Sequence, residues 1–129
     1  MAEKRAVQTE AAPAPFRGAP YSQAIVAGGF VFVSGQVGMR PGETQVVSDT
    51  VEEQTEQTFT NLGAVLEAAD SSLDRLVKTT VYLATLDHVA AMNEVYRRHV
   101  GSVPPARATV AAGLPAGCLV EIEAVALAG

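Results

Sequence analysis

The sequence pattern predicts an α+β domain, with one mixed β-sheet of about six strands and two α-helices packed on one face of that sheet. Two helical patterns alternate with strand patterns, and pairs of strand patterns stand towards both ends of the chain. No internal repeat of solenoid period is present. The 129 residues suit one domain with one core. We assign residues 1–129 to it, with 1–17 as a less regular N-terminal segment.

Three strand patterns precede the first helix. Residues 4–9 predict a short edge strand, and the Ala/Pro-rich piece after them interrupts regular structure. Residues 21–27 and 30–37 are strand patterns separated by Gly28-Gly29, which is typical of a hairpin. The second of these strands opens on a continuous apolar run, which predicts that both of its faces are buried.

The first helix is predicted between residues 50 and 69. Thr50 and Glu53 have the spacing of a capping box, with Asp49 as a competing cap. Apolar residues then recur at helical spacing, which predicts one buried stripe along the helix.

The second half of the chain contains a strand, a helix and two more strand patterns. Residues 76–83 are rich in β-branched side chains, as in a central strand. Asp87 is the predicted N-cap of a second helix that ends at about residue 100. The last two patterns, 104–110 and 119–126, are joined by a Gly/Pro-containing turn, so an antiparallel hairpin is the simplest interpretation.

Arg107 stands among small and apolar residues in the first of these two runs. Burying an unpaired guanidinium is costly, so this side chain needs a partner. One interpretation is a salt bridge to Glu121 or Glu123 across the predicted hairpin. The other is that Arg107 binds a small carboxylate ligand. The residues by themselves leave both open.

Composition excludes several classes of function. The net charge of −5 argues against binding nucleic acid through phosphate neutralisation. The single cysteine, Cys118, excludes an intrachain disulfide and a cysteine-based metal cluster. No apolar run approaches the roughly 18 residues of a membrane span, and no signal-peptide region opens the chain. We therefore expect a cytoplasmic protein without a metal, a nucleic-acid partner or a membrane partner.

Two helices can cover only one face of the sheet. The predicted central strands are nevertheless apolar on both faces, which would leave an exposed patch larger than monomers usually tolerate. This mismatch predicts a homo-oligomer in which open sheet faces meet.

Six short motifs stand in order along the chain from residue 18 onward. They are Gly18-Ala19-Pro20-Tyr21-Ser22-Gln23-Ala24, Phe32-Val33-Ser34-Gly35-Gln36-Val37-Gly38, Val77-Lys78-Thr79-Thr80-Val81-Tyr82-Leu83, Met92-Asn93-Glu94-Val95-Tyr96, Pro105-Ala106-Arg107 and Val120-Glu121-Ile122-Glu123-Ala124-Val125-Ala126. Together they resemble the Rid family, the reactive intermediate deaminases of RidA type. An older name for it is the endoribonuclease L-PSP or translation-inhibitor family.

The resemblance implies a chorismate-mutase-like fold and a homotrimer with a central barrel and a site in each cleft between subunits. It also implies an activity, the hydrolysis of 2-imino acids and 2-aminoacrylate-type enamines to 2-keto acids and ammonia. No metal or organic cofactor is implied.

The resemblance also implies residue roles. Arg107 would bind the substrate carboxylate, since arginine offers a planar fork that lysine lacks, and Glu121 would orient water. The implied substrate-binding residues are Tyr21, Ser34, Gly35, Asn93 and Thr109. Thr109 stands where RidA itself often has cysteine, and residues 107–114 are one residue shorter than in the archetype.

Other functions compete with the deaminase hypothesis. The same clefts would also suit a small-carboxylate binding or regulatory module without turnover. A chaperone-like role would use apolar surface and would not depend on Arg107. The ribonuclease activity of the older family name is disfavoured by the acidic net charge.

Overall fold

The computed structural model describes residues 3–129 and contains six strands and two α-helices. The strands are β1 (Arg5–Val7), β2 (Ala24–Ala27), β3 (Phe30–Val37), β4 (Leu76–Leu83), β5 (Ala106–Ala111) and β6 (Val120–Leu127); the helices are α1 (Val51–Ala68) and α2 (Val89–Tyr96). They confirm the predicted α+β class. The bounds of β3 and β4 are those that the sequence predicted, whereas β2 begins three residues later.

The strands form one mixed sheet in the order β1-β2-β3-β6-β4-β5. All neighbouring strands are antiparallel except β4 and β5, which run parallel. The predicted hairpin of the last two strands is therefore wrong. The last strand, β6, inserts between β3 and β4, while β5 lies at the edge of the sheet. A turn-rich connection between two strands does not by itself show whether the strands pair with each other or whether the chain first crosses over another strand.

Burial explains why β6 takes the central place. Its side chains at Val120, Ile122, Ala124 and Ala126 are all buried, whereas nearly all of β5 is exposed. A strand with a fully apolar face buries the most apolar surface when it has a neighbouring strand on each side, because those neighbours extend the same face across the core.

Both helices pack on one face of the sheet and bury the core. The side chain of Thr50 accepts a hydrogen bond from the backbone N–H of Glu53, which confirms the predicted cap of α1. From α1 the fully buried apolar side chains are Phe59, Leu62, Val65 and Leu66.

The second helix is shorter than predicted. Thr85, rather than Asp87, caps the short 3-10 turn that precedes α2, through a hydrogen bond to the backbone N–H of Asp87. After Tyr96 the backbone hydrogen bonds tighten to i→i+3 spacing. No helix among residues 3–129 is both long and apolar enough to cross a membrane.

The other face of the sheet, which we call the open face, is uncovered within the single chain. In β3 the buried Val31 and Val33 alternate with exposed Phe30 and Phe32. Leu127 at the end of β6 is exposed as well. The prediction that both faces of β3 are buried is therefore not met by one chain alone.

A β-bulge interrupts β3 where it approaches the pocket described below. The pairs Val33–Ala124 and Gln36–Ile122 enclose two residues of β3 but only one of β6. The extra residue belongs to the Ser34-Gly35 step, whose two residues are both among the predicted substrate-binding residues. A bulge re-aims neighbouring side chains and locally increases twist.

Candidate functional site

A pocket of ≈ 400 Å³ opens on the open face beside the bulge of β3. It is lined by Phe16, Tyr21, Ser34, Gly35, Val37, Met39, Pro115, Glu121 and Glu123. Four of the seven predicted site residues, Tyr21, Ser34, Gly35 and Glu121, therefore meet in one place. Polar and apolar groups line it in about equal parts, and the carboxylates of Glu121 and Glu123 are among the polar ones.

The Glu121 carboxylate lies directly against the backbone of Gly35. A Cβ atom added at Gly35 would stand 2.2 Å from Oε2 of Glu121 and 2.9 Å from its Cδ, well inside van der Waals contact. Only glycine leaves this space, so the residue at position 35 decides where the carboxylate rests. Burial raises the pKa of Glu121, and the nearby charge of Glu123 raises it further.

The two glutamates of β6, Glu121 and Glu123, have different surroundings, which distinguishes two residues that the sequence pattern alone does not separate. Glu123 is exposed and accepts a short hydrogen bond from the hydroxyl of Tyr82 on β4. That bond is the main cause of the raised pKa of Tyr82. Glu121 has no such partner among the described side chains and is partly buried against Gly35, so its carboxylate is left without a bonded side chain in the pocket.

Tyr21 and Ser34 brace the rim of the pocket. The Tyr21 hydroxyl accepts a hydrogen bond of 2.7 Å from the backbone N–H of Phe16. The Ser34 hydroxyl donates one of 2.6 Å to the carbonyl of Ser22. Because both hydroxyls already have backbone partners, these side chains fix the wall of the pocket in the unliganded chain.

Arg107 lies elsewhere, at the edge strand β5 and on the helix-covered side. Its Nη1 donates a hydrogen bond of 2.7 Å to Oδ1 of Asn93 on α2, and its Cζ lies 4.7 Å from the centre of the Tyr96 ring. The predicted substrate-binding residue Thr109 is two residues further along and partly buried, so its side chain projects to the same side.

No carboxylate among residues 3–129 forms an ion pair with Arg107, whose side chain is exposed. Glu121 and Glu123 lie across β4 from it and on the opposite face. The salt-bridge interpretation is therefore wrong for this chain. Within the part of the chain that the structure describes, the one polar side chain bound to Arg107 is the neutral amide of Asn93, so the positive charge stays available to an anion.

Other cavities and clusters add no further chemistry to the site. A larger groove, ≈ 670 Å³, runs along the N-terminal segment and shares Tyr21 with the pocket. Its lining contains neither Glu121 nor Arg107, so of these two cavities the smaller pocket is the one that holds a predicted catalytic residue. Within the described residues, no group of three or more His, Cys, Asp and Glu side chains is arranged to hold a metal ion.

Comparison with known proteins identifies the family. The family model described as Endoribonuclease L-PSP matches residues 9–128. The chain belongs to this family, the Rid family. A Rid-family relative, the human 2-iminobutanoate/2-iminopropanoate deaminase, is 41% identical over 127 residues, which cover 98% of this chain and 91% of the human protein.

Solved structures of Rid proteins have the same fold. A putative endoribonuclease from Thermotoga maritima superposes with a TM-score of 0.89 at 44% identity, covering 97% of this chain and 98% of that one. The TdcF protein of E. coli, solved with bound serine, superposes with a TM-score of 0.87 at 31% identity, covering 97% and 99%. The family resemblance predicted from six motifs is confirmed.

Within one chain of this Rid protein, the predicted site residues form two separate groups. The pocket group holds Tyr21, Ser34, Gly35 and Glu121, and the arginine group holds Arg107, Asn93 and Thr109. Arg107 pairs in register with Thr79, whose side chain is buried on the helix side, whereas the side chain of Glu121 projects from the open face. A single chain therefore does not bring the two charged residues together.

Sequence reasoning missed three residues that the structure adds to these groups. Tyr96 underlies Arg107, Tyr82 binds Glu123, and Phe16 lines the pocket. Tyr96 stands three residues after Asn93, so helical spacing places both on one side of α2 and was a usable signal. Tyr82 directly faces Glu121 across the strand pair, but this pairing depends on the strand order.

Proposed function

We propose that this protein hydrolyses 2-imino acids and their 2-aminoacrylate-type enamine tautomers to 2-keto acids and ammonia. The observation that carries the proposal is the Arg107 guanidinium, which is exposed, free of acidic partners and held by a neutral amide. A guanidinium presented in this way binds a carboxylate bidentately. The names of the human deaminase and of the serine-bound TdcF structure support a small substrate with a carboxylate.

The complete site forms between two chains in this proposal. The arginine group of one chain meets the pocket group of its neighbour, which resolves their separation on opposite faces. The exposed aromatic residues Phe30 and Phe32 support an assembly that covers the open face. We propose a homotrimer with the open faces turned inward and one site in each cleft.

The reaction needs little covalent help from the protein. Arg107 holds the carboxylate of the imino acid, and a water positioned by Glu121 adds to the electrophilic imine carbon. Glu121 takes a proton from that water and passes it to the imine nitrogen, which gives a carbinolamine. The hydroxyl of the carbinolamine then gives its proton to Glu121, which passes it to the nitrogen. The C=O bond forms as the C–N bond breaks, and ammonia leaves. Its raised pKa suits this exchange, since proton transfer is efficient when the pKa lies nearer the working pH. Such a group typically contributes about 10²–10⁴-fold.

A coupled assay tests the activity. An amino-acid oxidase or a dehydratase generates 2-iminopropanoate or 2-iminobutanoate in situ, and the rate of keto-acid release is followed with and without the protein. We expect Arg107→Ala and Arg107→Lys to abolish the acceleration while leaving the oligomer intact by light scattering. Full activity of either variant would reject the proposal.

The assembly of the site from two chains has its own test. Arg107→Ala and Glu121→Gln are each expected to be inactive as pure oligomers. Mixed oligomers are formed by unfolding and refolding the two variants together. Some of their sites combine the intact Arg107 of one chain with the intact Glu121 of the other. Random mixing should restore about a quarter of the activity. No recovery in mixed oligomers of confirmed composition would place both residues in the site of one chain.

The wild type and Arg107→Ala also distinguish the deaminase from a module that binds small carboxylates without turnover. The module hypothesis predicts that 2-oxobutanoate raises the melting temperature of the wild type but not of Arg107→Ala, with no effect of either protein on the rate of imine hydrolysis.

A further inference from the structure

Arg107 stands at an exposed sheet edge, where a long side chain normally samples many rotamers. Fixing such a side chain on ligand binding costs conformational entropy, which weakens binding unless the side chain is already held. In the unliganded chain, the guanidinium makes two contacts. Asn93 accepts a hydrogen bond from Nη1 at 2.7 Å, and the ring of Tyr96 lies beneath Cζ at 4.7 Å. The guanidinium is thus held at two points, one polar and one aromatic.

Tyr96 is itself held firmly. It is 5% exposed, and its hydroxyl shares a hydrogen bond of 2.6 Å with Oγ1 of the fully buried Thr79. Its ring also meets Phe59 edge-on, with 5.4 Å between ring centres. Thr79 belongs to β4 and is the register partner of Arg107 in the adjacent strand. The platform under the guanidinium is therefore anchored to the strand that pairs with the strand of Arg107.

We propose that Tyr96, through its aromatic ring, is a positioning residue that holds the Arg107 guanidinium ready for a planar carboxylate. This inference rests on the proposed function, because it assigns Arg107 the carboxylate. The guanidinium has five N–H donors. Asn93 uses one of these donors and the Tyr96 ring lies against the guanidinium carbon, so the group is held at two points while its other N–H donors remain for an anion. This arrangement favours an anion that accepts two parallel hydrogen bonds over a spherical one.

The contact with the ring also has a direct electrostatic value. A guanidinium over an aromatic face is attracted by the ring quadrupole. Without the ring, the hydrogen bond to Asn93 alone would leave the plane of the guanidinium free to turn. The positioning effect therefore belongs to the aromatic ring, whereas the hydroxyl of Tyr96 serves the fold through Thr79. These two contributions can be separated by substitution.

The test compares Tyr96→Phe, Tyr96→Leu and Thr79→Val in the imine assay, with binding of 2-oxobutanoate measured by calorimetry. We expect Tyr96→Phe and Thr79→Val to melt at lower temperature but to keep KM and Kd within about twofold of wild type. Tyr96→Leu should raise both about threefold to fivefold, as expected for a lost cation–π contact, with a smaller change in kcat. A KM in Tyr96→Leu equal to wild type, or an equal rise in Tyr96→Phe, would overturn the inference.

A second measurement on the unmodified protein covers the case in which Tyr96→Leu does not fold. The Nε order parameter of Arg107 from ¹⁵N relaxation should be high without ligand, while Arg40, paired only with an exposed glutamate at 3.9 Å, serves as the mobile reference. Equal mobility of the two side chains would overturn the positioning role. If instead Arg107→Ala keeps full deaminase activity, the proposed function fails, whatever the mobility of Arg107.

Discussion

The Gly35→Ala substitution is the sharpest test of the pocket. The added Cβ would stand 2.2 Å from Oε2 of Glu121 and 3.2 Å from its Cγ. Ordinary contact requires about 3.5 Å, so the carboxylate must move by about 1 Å or more. A misplacement of about 1 Å in a catalytic geometry can cost about 10²-fold in rate. We therefore expect kcat/KM for 2-iminopropanoate to fall about 10²-fold.

Stability should change much less than activity. Glu121 is only partly buried and its side chain can turn towards solvent, so the clash is relieved without opening the core. The position lies in a bulge with no positive φ recorded, so alanine is compatible with the backbone there. We expect the melting temperature of Gly35→Ala to stay within a few degrees of wild type, on the order of 1 kcal/mol in stability.

The matched control is Gly113→Ala. An added Cβ at Gly113 meets no atom within 4 Å, and no positive φ is recorded there either. This variant should keep wild-type kcat/KM and stability. Glu121→Gln supplies the expected floor of activity. If Gly35→Ala turned over the substrate as fast as Gly113→Ala, the position of the Glu121 carboxylate would not matter to the reaction, and its assignment would fail.

Three further predictions concern charge and packing. Glu121→Gln should melt above wild type at pH 8, because the pKa of Glu121 is raised in the folded chain and the stability that its protonated form contributes is lost as the pH rises through that pKa. At about pH 3, below the ordinary glutamate pKa of about 4.3, the carboxyl is protonated in the folded and the unfolded chain alike, and differential scanning calorimetry should find little difference. Asn93→Asp puts a carboxylate 2.7 Å from Nη1 of Arg107 and should raise KM about tenfold or more in steady-state assays, whereas an equal rise in Asn93→Ser would contradict competition by charge. Gln54→Leu removes a fully buried amide that bonds three backbone groups and should cost about 2–4 kcal/mol by urea unfolding; a loss below about 1 kcal/mol would refute its structural role.

Local patterns in the sequence predicted elements well because short-range physics determines them. The capping box at Thr50 requires only a hydroxyl and a backbone N–H three residues apart, and the structure shows that bond. The hairpin of β2 and β3 follows from the two glycines at its turn, which both adopt positive φ. The end of α2 was missed because a turn of tighter hydrogen bonds continues the helical spacing past Tyr96.

The candidate site was predicted in part for the same reason. The residue type singled out Arg107, since a cation stands out among small and apolar neighbours, whereas Glu121 was assigned to the site by the family resemblance, because strand alternation alone does not separate it from Glu123. The role of Tyr96 was not predicted, because an aromatic residue on the inward side of a helix is usually a core residue. Its contact with Arg107 depends on how α2 packs over the edge of the sheet. The same holds for Tyr82 and Glu123, which meet only because β6 pairs with β4.

The sequence by itself determined the fold class, the family and the presence of an arginine that calls for an anionic partner. These follow from periodicity, turn residues and motif order, which are properties of neighbouring residues. Only the tertiary structure decided that β6 lies between β3 and β4, and hence that Arg107 and Glu121 project from opposite faces of one sheet. Strand order depends on which arrangement of the strands buries the most apolar surface across the whole core. A local sequence pattern does not compare these arrangements, so it does not determine the order.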